Sequence, residues 1–178
     1  MLEDLGVDPK EVPDKLDCDI NARDNTQLYR KSPFIIQAAC SGNFETLKAF
    51  SNQESCDIED HGHIVLSKVR KNTVSSNVLG AAAYYGKGKL LSKVINIVDE
   101  KFVNEPATEE SDFESKVQYK AEYAGYTPIQ LAIIGPEPDL EAVKTLLAHK
   151  ADYHIKEKGT NNNLLHLAAE KCASAKVF

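Results

Sequence analysis

A chain of 178 residues with 42% hydrophobic and 27% charged side chains is long enough to bury one substantial core and too apolar for a disordered tail. Its formal charge of -6 excludes the net excess of lysine and arginine that a nonspecific nucleic-acid or anionic-membrane surface requires. The longest apolar stretches, such as Pro33 to Cys40 and Ile129 to Gly135, fall far short of the roughly 20 residues that cross a bilayer, and the acidic opening Met1-Leu2-Glu3-Asp4-Leu5 lacks the basic and apolar segments of a secretory signal.

The first predicted element begins at Ser32-Pro33, a hydroxyl cap with proline in the first turn, and runs through Ile35-Ile36-Gln37-Ala38-Ala39-Cys40-Ser41 to Gly42, where a left-handed backbone suits only glycine. A second helix follows, with Leu47 and Phe50 on one stripe. After an insertion at about Ser51 to Ser76, which carries Lys68, Arg70 and Lys71, the pattern returns without a gap. Leu79-Gly80-Ala81-Ala82-Ala83-Tyr84-Tyr85-Gly86-Lys87 aligns with the first helix, and Leu91, Val94 and Ile95 form the stripe of its partner. A second insertion, about Asp99 to Tyr126, carries Glu105, Glu109, Glu110, Asp112, Glu114 and Glu122. Thr127-Pro128 then starts a third copy, Ile129-Gln130-Leu131-Ala132-Ile133, whose second helix holds Val143, Leu146 and Leu147. A fourth copy begins at Leu164-Leu165-His166-Leu167-Ala168-Ala169 and lacks its second half. The alanine pairs at 38/39, 82/83 and 168/169 admit close approach of a neighbouring helix, and no helix pair covers its own stripe, so each requires the next.

These residues resemble the ankyrin repeat, whose signature runs Thr-Pro-Leu-His-x-Ala; the best copies are Thr127-Pro128-Ile129-Gln130-Leu131-Ala132 and Leu165-His166-Leu167-Ala168-Ala169. Ala151-Asp152 and Cys18-Asp19-Ile20-Asn21-Ala22-Arg23-Asp24 look like the turns that close a repeat. The resemblance implies an all-α, ankyrin-like solenoid with β-hairpin or loop insertions. Residues 1–30 form a degenerate repeat end or cap, and the repeats cover 31–76, 77–124, 125–158 and an incomplete 159–178. Insertions in such a stack map to surface loops, often on the binding face, so the acidic insertion is either a mobile finger or an adapted docking element, with a solvated, disordered segment as the alternative. In its length and charge it is the most protease-sensitive part of the chain.

Chemical motifs are weaker. Gly80 to Lys87 approaches a phosphate loop, but five residues separate its glycines and Gly88 stands where a magnesium-binding hydroxyl is needed. Cys56, His61 and His63 have no fourth ligand at a recognised spacing, and His166 fits a role in bracing its turn. The cysteines at 18, 40, 56 and 172 form no Cys-x-x-Cys pair, which together with the absence of a secretory signal predicts reduced thiols and a cytoplasmic setting. The expectation is a non-enzyme without metal or cofactor that binds a protein partner, and neither binds nucleic acid nor inserts into a membrane. The alternative is a regulatory ankyrin segment of a larger channel, kinase or other multidomain enzyme. In ankyrin-like stacks the positions after the alanine pair face the concave groove; here these are Cys40, Ser41, Tyr84, Tyr85, Ile134, Glu170 and Lys171.

Overall fold

The computed structural model describes residues 23–24, 32–52, 58, 61–67, 72–109, 123–136 and 138–175. Of the expected cap at residues 1–30 only 23–24 are described, and Cys56, the basic residues 68–71 and the acidic residues 110–122 lie outside that set. The described chain is mainly helical. Two strands, β1 (Arg23–Asp24) and β2 (Ser32–Pro33), pair antiparallel ahead of the helices. The helical elements are α1 (Phe34–Ser41), α2 (Phe44–Ser51), α3 (Val78–Tyr84), α4 (Gly88–Val94), α5 (Pro128–Ile134), α6 (Leu140–Ala148) and α7 (Leu164–Ala175).

The first expected cap is displaced. Ser32-Pro33 does not open α1 but forms the short strand before it, paired antiparallel with Asp24 and Arg23. The third start is as expected: Pro128 opens α5, and Gln130 Oε1 accepts from the Thr127 backbone N–H at 3.0 Å and from the Thr127 hydroxyl at 3.3 Å. Gly42 and Gly86 adopt φ of 81° and 63°. At the first of these the Asn43 N–H reaches Ala38 O at 3.2 Å, and at the second the Lys87 N–H reaches Ala82 O at 2.9 Å, so the two turns share one bonding plan. The end of α6 repeats it, with the Ala151 N–H on Leu146 O at 3.0 Å, but there the left-handed residue is Lys150 at φ 65°.

Within pairs, α1 packs on α2, α3 on α4 and α5 on α6; between pairs, α1 packs on α3, α3 on α5, α5 on α7, and α4 on α6. Small residues set these distances. Ala38, Ala39, Ala82, Ala83 and Ala132 are fully buried. A Cβ on Gly80 would lie 2.0 Å from Ser76 Oγ, and one on Gly88 would lie 2.7 Å from the Ala142 backbone nitrogen. Gly80 to Tyr84 is therefore close-packed helix, and the segment that imitates a phosphate loop holds no such loop.

The first insertion contributes a sheet. Strands β3 (Gly62–Ser67) and β4 (Asn72–Ser76) form an antiparallel hairpin, and β5 (Thr108–Glu109) adds to β4, giving the order β3-β4-β5. Ile64 and Val74 are cross-strand partners and both are fully buried. The second insertion is folded at its root: a 3-10 turn at Glu100–Val103 buries Phe102 and Val103. The Ala107 N–H donates to Tyr126 O at 2.8 Å, while the Gly125 N–H donates to Ala107 O at 2.7 Å. Burial fades at the last helices. On α6, Ala142 and Leu146 are buried, whereas Leu147 leaves the expected stripe and is 44% exposed, with Leu140 at 66%. On α7, Leu164 and Leu167 face α5 and Leu165 is 78% exposed.

Candidate functional site

The expected interface residues fall into three environments. Cys40 is a free, buried thiol pushed up to about 12, chiefly by burial, and so stays protonated and unreactive. Ser41 is exposed, but its hydroxyl donates to Ala38 O at 2.9 Å. Tyr84 is only 6% exposed, so its ring packs in the core and does not lie open on a groove; Tyr85 beside it is half-buried, with the rings edge to face at 5.1 Å. The adjacency follows from α3 ending at Tyr84, which leaves Tyr85 as the helix cap one step around the axis.

Ile134, Glu170 and Lys171 gather next to these tyrosines. The C-terminal end of α5 comes so close to that of α3 that a Cβ on Gly135 would lie 2.1 Å from Tyr84 O. Lys171, half-buried on α7, crosses to α5 and donates from Nζ to Ile134 O at 3.1 Å, and Glu170 before it is exposed. Three successive first helices thus deliver Tyr84, Tyr85, Ile134, Glu170 and Lys171 to one region, while Cys40 and Ser41 sit one helix away on α1.

Two further tyrosines complete the region. Tyr123 is half-buried, and its ring meets that of Tyr126 at 5.1 Å with an interplanar angle of 67°. Tyr123 also stands close enough to Tyr84 to add to the burial that pushes the Tyr84 phenol up to about 12. Tyr126 is buried and raised further still, first by desolvation, then by its hydrogen bond to Glu157 and by the charges of Glu157 and Glu170. Glu157 accepts from the Tyr126 hydroxyl on Oε1, and on Oε2 from the Thr160 hydroxyl and from Asn162 Nδ2. Those donors, Thr160 first, hold its carboxyl below the ordinary glutamate value, so it stays ionised.

Sequence reasoning missed Tyr123, Tyr126 and Glu157. Tyr123 and Tyr126 close the acidic insertion, and their three-residue spacing next to the Thr127 cap was the available signal. Glu157 could not be placed, because its loop returns to Tyr126 only in the folded chain.

Elsewhere, His61 Nε2 lies 2.9 Å from Glu105 Oε2, which also accepts from Asn77 Nδ2 at 3.0 Å. His61 therefore fastens the β3 end of the hairpin to the root of the second insertion. Asn77 accepts the Gly80 N–H at 2.9 Å, so the same residue caps α3. Among the described residues no group of three or more metal-ligating side chains comes together. His166 Nδ1 pairs with Asn163 Oδ1 at 2.7 Å, bracing the start of α7. No described helix is long and apolar enough to cross a membrane. No protein-family model matches the chain, and no curated protein is significantly similar to it.

Proposed function

We propose that this chain is a protein-interaction module, an ankyrin-like stack of helix pairs that binds a protein partner on the face where α3 and α5 end beside the middle of α7. The sequential packing of α1, α3, α5 and α7, with glycine-closed turns at Gly42 and Gly86, supports the repeat reading. The observation that carries the functional reading is the convergence of Tyr84, Tyr85, Tyr123 and Tyr126, brought from a helix end and an insertion to one place. Tyrosine offers large, rigid, amphipathic contact area and is enriched among residues that dominate interface energetics. The buried rings, Tyr84 and Tyr126, set the position of the half-buried Tyr85 and Tyr123, which are the rings a partner touches. The carboxylate of Glu157 serves here as a hydrogen-bond acceptor that fixes Tyr126 and its own loop.

Site-specific photo-crosslinking tests it. A benzoylphenylalanine placed at Tyr85 should trap a protein from the native source, and one placed at the exposed Glu45 on α2 should not. Trapping at Glu45 with none at Tyr85 would move the interface to the second helices.

A further inference from the structure

We draw no further inference here: the strongest candidate, the exposed apolar surface patch of Leu140 and Leu147 on α6 and Leu165 on α7, carries none because nothing in the structure shows what covers it.

Discussion

The alanine pair Ala82-Ala83 in α3 and the pair Ala168-Ala169 in α7 are the same dipeptide in the same place along a first helix, yet their surroundings differ. The α3 pair is fully buried between α1 and α5, whereas Ala168 is half-buried and Ala169 exposed. The same contrast separates α4, whose Leu90, Leu91 and Val94 are buried, from α6, whose Leu140 and Leu147 are not. A repeated sequence pattern therefore prepares a face without determining that the face is covered. In a stack, burial is a property of neighbours.

The largest effect expected inside the stack comes from Gly135→Ala. The added methyl would lie 2.1 Å from the Tyr84 carbonyl oxygen, a backbone atom that can yield only by separating α3 from α5. We expect a loss of about 3 kcal/mol in denaturant unfolding. An unfolding midpoint equal to the parent's would mean that α3 and α5 are not in such close contact.

The alanine pairs give the next test. Ala82→Leu should cost about 2 kcal/mol by overpacking, while Ala169→Leu should change stability by less than about 0.5 kcal/mol. Thermal melts of the two variants compare interior with edge directly, and equal losses would erase the distinction.

A smaller, pH-dependent effect belongs to the interior alone. Burial first, and Tyr123 second, push the Tyr84 phenol from 10.0 up to about 12, so the folded chain holds this proton more tightly than the unfolded chain. The associated stability is complete below pH 10.0 and is lost as the pH rises through about 12. A tyrosinate absorbance titration should show a late-ionising component that Tyr84→Phe reduces by one ring, leaving the share of Tyr126, which is raised further. A late component of undiminished amplitude in that variant would assign it to other rings.

Much of the helical plan was legible from the chain. The alanine pairs, the left-handed glycines at 42 and 86 and the Thr127-Pro128 start are local signals, each set by sterics or hydrogen bonding within a few residues. The displaced start at Ser32-Pro33 arose because these two residues pair with Asp24 and Arg23, a contact between separate segments that a local cap signal does not contain. Leu147 was assigned to a buried stripe because its spacing fits, but spacing cannot say whether a neighbour exists. The tyrosine region was half legible. Tyr84 and Tyr85 followed from the repeat register, though the depth of Tyr84 did not. Tyr126 and Glu157 meet only because two segments 31 residues apart close on one another.

The central claim, that Tyr85 presents itself to a partner while Tyr84 holds the stack together, is tested most directly by measuring melting and peptide affinity on the two alanine variants. Tyr84→Ala should lose about 3 kcal/mol of stability as a truncated core aromatic. Tyr85→Ala should melt close to the parent and bind a peptide selected on the parent chain about tenfold more weakly. Parent-like affinity in Tyr85→Ala, with the stability loss falling on Tyr85 instead of Tyr84, would contradict the account.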